Sequence, residues 1–273
     1  MVSIVVVRTD VSLVTVVQAA DALVPASGRV AQVLGRVADP HAHAVGVWNI
    51  SETATHLSHS SHAFLSAARG TADPLEDLRT TDVSNIADVA ADPERDLGTL
   101  AARIQAGERE LAAHAHSVSG DPLVTAFEGV DIRLSALLGL ELAELLVHGW
   151  DVARGSHQPW PIPPEDAIVA LAGVVSMLPH MVEVERARGL TMTCDLRIRG
   201  GFEARVVLAD GQARVVPTDA RRPDCQLRAE PVTLLLLSYG RVGQVRSLLR
   251  GRLLPWGRQP WLVARLMSTL ASV

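Results

Sequence analysis

The spacing of apolar residues changes once along this chain, and that change limits the folds open to it. Up to about residue 155, apolar residues recur at the three- and four-residue spacing of amphipathic helices. A stretch with four prolines, Ser156–Pro164, follows. Beyond it, apolar and polar residues alternate as in strands over Met192–Arg199, Glu203–Ala209, Ala213–Val216 and Cys225–Ala229. We therefore predict an α+β chain of two domains, with a helical domain over 1–155, a linker over 156–164 and an α+β domain over 165–273.

The helical part is predicted to form an antiparallel four-helix bundle. Asn49 followed by Glu52 resembles a capping box that starts a helix, and Gly155 is a typical helix end. A loop is expected over Gly70–Pro93, where Gly, Asp, Pro and Thr are frequent. The predicted helices are Val11–Leu23 continued by Val30–Val37, with Pro25 and Gly28 interrupting or kinking it, then Ile50–Arg69, Glu94–Ser117 and Ile132–Arg154.

The second part is predicted to combine a block of strands with surrounding helices. A helix is expected first, over Glu165–Arg188, and Asp210-Gly211 is typical of a hairpin turn between two strands. Three short helical patterns complete the chain, over Pro231–Tyr239, Val242–Arg250 and Gln259–Leu270. This order indicates an α+β domain.

Charge excludes some partners and one class of mechanism. The formal net charge is −5, which offers no general attraction to nucleic acid or to an anionic membrane surface. All 25 basic residues are arginine, so a lysine Schiff base is excluded.

Cys194 and Cys225 are too few for a disulfide framework, and we interpret both as small core residues.

The apolar segments are too short for a signal peptide or a membrane span. Met1–Asp10 holds a short apolar patch that Arg8 and Asp10 break, whereas a signal peptide needs about 7–15 apolar residues. The longest apolar run, Ile168–Pro179, falls short of the roughly 20 residues that cross a bilayer. We expect a cytoplasmic protein.

The last helix of the bundle carries a pair of candidate metal ligands. Glu144 and His148 are four residues apart, so both side chains can reach one point on the helix face. Because the surrounding residues are apolar, a buried Glu144 needs a partner. Asp151 could hydrogen-bond a ligand, and Trp150 could wall the site. The alternative is an ordinary Glu–His contact on a half-exposed helix.

The second helix offers histidines that could complete this site. His56, His59 and His62 follow one another at three-residue spacing, which puts His56 and His59 near each other. Histidines at this spacing are often solvated or structural. Two facing helices that each supply ligands are, however, an established way to build a metal site in a bundle.

Two separated motifs resemble one family. The segment 48–57, from Trp48 to His56 and Leu57, and the segment 141–151, with Glu144, His148 and a His-Gly-Trp-Asp run, resemble the signatures of mycothiol-dependent maleylpyruvate isomerases, of the DinB-like bundle superfamily. The resemblance covers roughly residues 10–155. It implies a DinB-like four-helix bundle in which His56, Glu144 and His148 bind a divalent metal, usually zinc, and act with mycothiol.

The end of the chain resembles a second kind of domain. Segments 224–231, 239–241, 249–253 and 256–257 resemble the closing part of sterol-carrier-protein-like domains, which family members often carry at the C-terminus. In lipid carriers this fold encloses an apolar cavity. We favour the alternative role, a domain that docks over the metal site, and do not infer lipid binding from this resemblance.

The resemblance implies an enzyme that adds a metal-activated thiolate to a small electrophilic substrate, as an isomerase or an S-transferase. Substrate carboxylates would favour an arginine, for which Arg79, Arg133 and Arg154 are candidates. A metal-dependent hydrolase and a non-catalytic binding protein for an apolar ligand stay open. The sequence does not specify the substrate, the metal or the oligomeric state.

Overall fold

The computed structural model describes residues 12–71 and 81–270. The first part of the chain is mostly helical, with two short hairpins between the helices. Its elements are α1 (Val16–Leu34), β1 (His43–Val45), β2 (Trp48–Asn49), α2 (Ile50–Arg69), α3 (Thr81–Ala91), α4 (Leu97–Ser117), β3 (Leu123–Phe127), β4 (Val130–Arg133) and α5 (Leu134–Gly155).

Four of these helices, α1, α2, α4 and α5, form the predicted bundle. Helix α5 lies inside it, since residues on every side of the helix are buried, as expected for a helix that is hydrophobic all round. The predicted start at Ile132 is wrong. Ile132 and Arg133 belong to β4, which pairs with β3, and α5 begins only at Leu134.

Helix α1 is continuous, so the predicted interruption between residues 23 and 30 is wrong. Pro25 lies inside the helix, but Leu23, Ala26 and Val30 are fully or almost fully buried along one stripe. Packing of that stripe on α4 and α5 outweighs the backbone hydrogen bond that a proline removes. The helix starts with a capping box on Thr15 that the sequence reading missed.

Helix α2 confirms the prediction at both ends. The Asn49 side chain accepts the Glu52 backbone N–H at 2.9 Å, and the Glu52 carboxylate accepts the Asn49 N–H at 2.9 Å. Gly70 ends the helix with a φ of 62°. The loop predicted over Gly70–Pro93 is wrong in part, because α3 occupies Thr81–Ala91. Val89 is the buried residue of α3, so the apolar stripe that would have marked this helix is very short.

The second part contains one mixed sheet with helices around it. Its elements are α6 (Pro164–Met181), α7 (Val184–Ala187), β5 (Met192–Ile198), β6 (Glu203–Ala209), β7 (Gln212–Val216), β8 (Cys225–Ala229), α8 (Pro231–Ser238), α9 (Gln244–Leu249), β9 (Leu253–Trp256) and α10 (Leu262–Met267). The predicted helix over Glu165–Arg188 is instead two helices, because Pro179 lies in the last turn of α6 and Val182 and Glu183 are extended.

The sheet has the order β7-β6-β5-β8-β9, in which β5 and β8 are parallel and the other pairs antiparallel. The hairpin turn between β6 and β7 is confirmed, with a φ of 53° at Asp210 and 75° at Gly211. Strand β9 was not predicted. Cys194 and Cys225 are buried partners across β5 and β8, which confirms them as core residues.

Helix α6 connects the bundle to the sheet. It packs along α5, and it also contacts α8 and β7. Gly139 of α5 and Gly173 of α6 allow the two backbones to approach closely, since a Cβ on Gly173 would lie 2.5 Å from the backbone nitrogen of Leu140. The fold is therefore mixed α/β and consistent with two domains. None of the described helices has the length and apolar character needed to cross a membrane.

Candidate metal centre

Helices α2 and α5 bring three side chains together inside the bundle. His56 comes from α2, and Glu144 and His148 come from α5. Nε2 of His56 lies 3.1 Å from Oε2 of Glu144, and Nε2 of His148 lies 3.3 Å from the same oxygen. One ligand atom of each residue lies within 4.8 Å of the other two. The three residues singled out from the sequence therefore converge on one point.

The Glu144 carboxylate is ionised in this site because the two histidines stabilise its negative charge. Burial by itself would raise the pKa of Glu144, but hydrogen bonds from His148 and His56 outweigh burial and hold that pKa well below its usual range. The histidines thus serve as the partners that a buried carboxylate needs.

His148 is oriented through its other ring nitrogen. Nδ1 lies 3.1 Å from Oδ2 of Asp151, whose side chain is 3% exposed. Burial lowers the pKa of His148, but the hydrogen bonds to Asp151 and Glu144 raise it to about 9. A carboxylate on Nδ1 leaves Nε2 facing the point of convergence, as carboxylate–histidine pairs do at metal sites.

His56 is held against an aromatic wall. The Trp48 ring stacks on it at 4.8 Å between centroids, and the His148 ring lies edge-on at 4.9 Å. Burial is the main cause that lowers the pKa of His56, although Glu144 opposes it. A neutral imidazole is the form that binds metals.

The donor set and the two distances from Glu144 to the histidines fit a divalent cation. Two imidazoles and one carboxylate occur at catalytic zinc sites, which keep a fourth position open. A tetrahedral metal with bonds of about 2.0–2.1 Å holds its ligand atoms roughly 3.3 Å apart. The distances of 3.1 and 3.3 Å from Glu144 to the two histidines agree with that spacing. Iron, cobalt and nickel accept the same ligands, so the set does not select zinc.

The second part of the chain adds two residues that sequence reasoning did not assign to the site. Arg241 Nη2 lies 2.7 Å from Oδ2 of Asp151, and Arg241 Nε donates to Oδ1 at 3.0 Å. The hydroxyl of Tyr239 lies 3.4 Å from Oε1 of Glu144. Residues 239–241 belong to a segment that resembles sterol-carrier-like domains, but no local pattern indicates their role at this site, because the contacts join positions about 90 residues apart.

The remaining candidates lie around the centre or away from it. His59 faces Asp92, with Nε2 2.9 Å from Oδ2. Arg154 lies over the Trp150 ring at 5.2 Å. Arg133 occupies the N-cap position of α5, about 20 Å along the helix from His148, and donates to the Asp121 carbonyl, so its suggested role in substrate contact stays a prediction. Arg79 lies outside the described residues.

Steric crowding explains why a glycine, Gly149, stands in the His-Gly-Trp run. A Cβ on Gly149 would lie 2.2 Å from the ring of Trp160. Trp160 comes from the proline-rich stretch and donates its indole N–H to the Leu146 carbonyl at 2.9 Å. This indole packs on α5 beside His148, so the stretch predicted as a linker also supports the helix that carries the site.

Two buried carboxylic acids lie deeper in the bundle and were missed. Glu108 of α4 and Glu141 of α5 are both fully buried, and Ser60 donates to Glu141 at 2.6 Å. Burial raises the pKa of Glu108 to about 7, and burial together with the charge of Glu108 raises the pKa of Glu141. Two negative charges buried together would repel each other, so the pair carries at most one charge near neutral pH.

An apolar cavity of about 270 Å³ lies in the second part of the chain. It lies between the β8–β9 edge of the sheet and helices α9 and α10. Its lining includes Leu227, Leu248, Leu253, Pro255, Trp261 and Met267. The cavity does not include a residue of the His56, Glu144 and His148 cluster.

Comparisons with known proteins identify the fold. No protein-family model matches this chain, and no curated protein matches it. The crystal structure of a mycothiol-dependent maleylpyruvate isomerase aligns with a TM-score of 0.50 at 10% identity, over 85% of this chain and 91% of the isomerase. A histidine-to-alanine mutant of such an isomerase aligns with a TM-score of 0.51 at 10% identity, over 84% and 90%. At this identity the likeness shows the fold alone, and it extends over both parts of the chain.

Two other structures match less of the molecule. A stereoselective inverting sec-alkylsulfatase from Pseudomonas sp. aligns with a TM-score of 0.33 at 13% identity, over 51% of this chain and 25% of the sulfatase. This chain therefore spans about a quarter of the sulfatase. The ubiquinone synthesis protein UbiJ-SCP2 aligns with a TM-score of 0.28 at 23% identity, over 36% of this chain and 93% of that protein. Both TM-scores are too low to establish a shared fold, so the sterol-carrier-like assignment stays a prediction.

Proposed function

We propose that this protein is a metal-dependent enzyme that uses mycothiol to attack a small electrophilic substrate. His56, Glu144 and His148 would hold a divalent cation, with zinc as the first candidate. The reaction would be a cis–trans isomerisation, as in the isomerase with the similar fold, or an S-transfer that leaves the thiol attached.

The observation that carries this proposal is the convergence of three ligand atoms within 4.8 Å, with Asp151 fixing the ring of His148. Ligands from two helices that are far apart in sequence, together with a buried carboxylate behind one of them, are more specific than either histidine pattern alone. The isomerase named above supports the choice of mycothiol, because its fold covers 85% of this chain.

A divalent cation at this position would supply the positive charge that lowers the pKa of a thiol, so that the thiolate is present at neutral pH. The chain's own residues would arrange the rest. Glu144 contributes negative charge and Asp151 holds the His148 ring. The Trp48 ring covers one side of His56, which limits access of water to the ligands. Arg154 is a described arginine that we keep as a candidate partner for a substrate carboxylate; its guanidinium lies over the Trp150 ring.

The first test is metal content, measured by elemental analysis after zinc is supplied and excess zinc is removed. We expect about one zinc per chain in the wild type and a loss of zinc in His148→Ala. His62→Ala is the matched control, because His62 is exposed on α2 and lies outside the cluster. A wild type that retains no metal contradicts the proposal.

The second test separates thiol chemistry from hydrolysis. The zinc-loaded protein is incubated with maleylpyruvate and with a panel of electrophiles, each with and without mycothiol. Conversion that requires mycothiol supports the proposal. Conversion that is equally fast without any thiol would indicate a hydrolase, since the same three ligands can activate water.

The apolar cavity favours a second candidate function, binding of an apolar ligand by the second part of the chain. Its volume of about 270 Å³ is close to the lower end of small-molecule sites, and its lining is apolar. Titration with a fluorescent fatty acid tests it. Submicromolar binding that Leu248→Trp abolishes, in a protein that binds no metal, would favour a carrier over an enzyme.

A further inference from the structure

The two carboxylate oxygens of Glu144 have different partners. Oε2 lies 3.1 Å from Nε2 of His56 and 3.3 Å from Nε2 of His148, so it faces the point where the ligand atoms converge. Oε1 lies 3.4 Å from the hydroxyl of Tyr239. The two oxygens are therefore distinguished by the protein itself, one by the bundle and the other by a residue from the second part of the chain.

Tyr239 is held in place by contacts that lead back to the same site. It follows the last residue of α8, where its backbone N–H donates to the Leu237 carbonyl. Arg241 donates from Nη1 to the Tyr239 carbonyl and from Nη2 to Asp151. Asp151 in turn binds His148. The phenol thus reaches Glu144 from a segment that is anchored on the neighbouring ligand.

The phenol is a hydrogen-bond donor under ordinary conditions. A phenol has an ordinary pKa of about 10, so the hydroxyl carries its proton at neutral pH and is the donor, while Oε1 of Glu144 accepts. At 3.4 Å the contact is a long hydrogen bond.

We propose that Tyr239 is a positioning residue that keeps Glu144 bound to the cation through Oε2 alone. The inference rests on the proposed function, because it concerns the same cation. A carboxylate can bind a metal through one oxygen or through both. With Oε1 engaged by the phenol, Glu144 fills one coordination position, and a further position stays open for the thiol.

The test compares Tyr239→Phe with the wild type, using cobalt(II) as the spectroscopic probe and zinc for affinity. Ser238→Ala is the matched control, since it removes the neighbouring hydroxyl, which bonds the Leu234 carbonyl. Removal of the phenol frees Oε1 to bind the metal. We expect the visible absorption of the cobalt form to weaken as the coordination number rises. We also expect the zinc Kd to rise by about tenfold, because the group that orients Glu144 is lost. Ser238→Ala should match the wild type in both.

A second measurement uses the wild-type protein, so its result does not depend on whether a variant folds. The chain contains one tyrosine, so protein made with ring-labelled ¹³C-tyrosine gives a carbon signal from Tyr239 alone. That signal should move when wild-type protein is saturated with zinc, because the charge on its partner Glu144 is then shared with the metal. An unmoved signal would overturn the inference.

The outcomes separate this inference from the proposed function. A wild type that binds neither zinc nor cobalt overturns both. A Tyr239→Phe protein that binds one cobalt per chain, with the spectrum and zinc affinity of the wild type, overturns the role of Tyr239 and leaves the metal-dependent enzyme in place.

Discussion

Arg241 and Asp151 form a buried ion pair that joins the two parts of the chain. Arg241 Nη2 lies 2.7 Å from Asp151 Oδ2, and the Asp151 side chain is 3% exposed. Asp151 also binds Nδ1 of His148, so one carboxylate links a residue of the second part to a candidate metal ligand in the bundle. The candidate metal centre and the contact between the two parts of the chain therefore share one residue, Asp151.

Arg241→Ala should destabilise the protein, because it removes the guanidinium that pairs with the buried Asp151 carboxylate and leaves His148 as its remaining partner. Breaking a buried pair in this way costs about 3 kcal/mol. The free energy of unfolding, measured by urea denaturation, is expected to fall by that amount. Arg246→Ala is the control, since Arg246 is exposed and has no ion pair among the residues the structure describes, and its effect should stay within about 0.5 kcal/mol. Equal effects of the two substitutions would contradict the ion pair.

Asp151→Asn should weaken metal binding without removing a metal ligand. The amide keeps the shape of the side chain but not the negative charge that orients the His148 ring. Loss of such a partner typically costs 10–100-fold in metal affinity. Competition with a chromophoric zinc chelator measures this change. Asp88→Asn, an exposed position on α3, serves as the control and should bind zinc as the wild type does.

Glu108→Gln should remove part of a pH dependence of stability, to which the buried Glu141 also contributes. Burial raises the pKa of Glu108 from 4.5 to about 7, so between these pH values the folded protein binds more protons than the unfolded one. Stability is then full below about pH 4.5 and falls as the pH rises to about 7. The loss amounts to roughly 3 kcal/mol at about 1.4 kcal/mol per pKa unit.

Urea denaturation at a series of pH values between 4.5 and 8 tests this, with Glu110→Gln as the control on the exposed side of α4. The wild type and the control should lose stability across that range, whereas Glu108→Gln should lose less, with the remaining loss due to Glu141. Curves of equal slope for all three proteins would show that Glu108 does not carry the effect.

Gly173→Ala and Gly28→Ala should change stability in opposite directions. A Cβ on Gly173 would lie 2.5–2.7 Å from backbone atoms of α5, so α5 and α6 would have to move apart, at about 3 kcal/mol. A Cβ on Gly28 of α1 meets nothing within 4 Å, and alanine there should stabilise the helix by about 0.5–1 kcal/mol. Thermal melting compares the two; a stabilised Gly173→Ala would show that the helices do not approach this closely.

Local patterns in the sequence were sufficient for most of the secondary structure and for the Glu144 and His148 half of the candidate site. The Asn49–Glu52 capping box, the alternation over Glu203–Ala209 and the Asp210-Gly211 turn each act within a few residues, so the structure agrees with them closely. The spacing of Glu144 and His148 on one helix is of the same kind. The pairing of that half-site with His56 needed in addition the resemblance of two motifs to one family.

The tertiary structure decided what depends on distant contacts. Helix α1 runs through Pro25 because its buried stripe packs on two other helices, which no window around the proline reveals. The Glu108–Glu141 pair exists only because α4 and α5 face each other across the bundle core, with α1 and α2 packed on both of them. Likewise, Tyr239 and Arg241 reach Glu144 and Asp151 across about 90 residues, a juxtaposition set by the packing of the second part of the chain on α5. Sequence patterns define elements and their faces, whereas the partners of each buried charge are defined only when those faces meet.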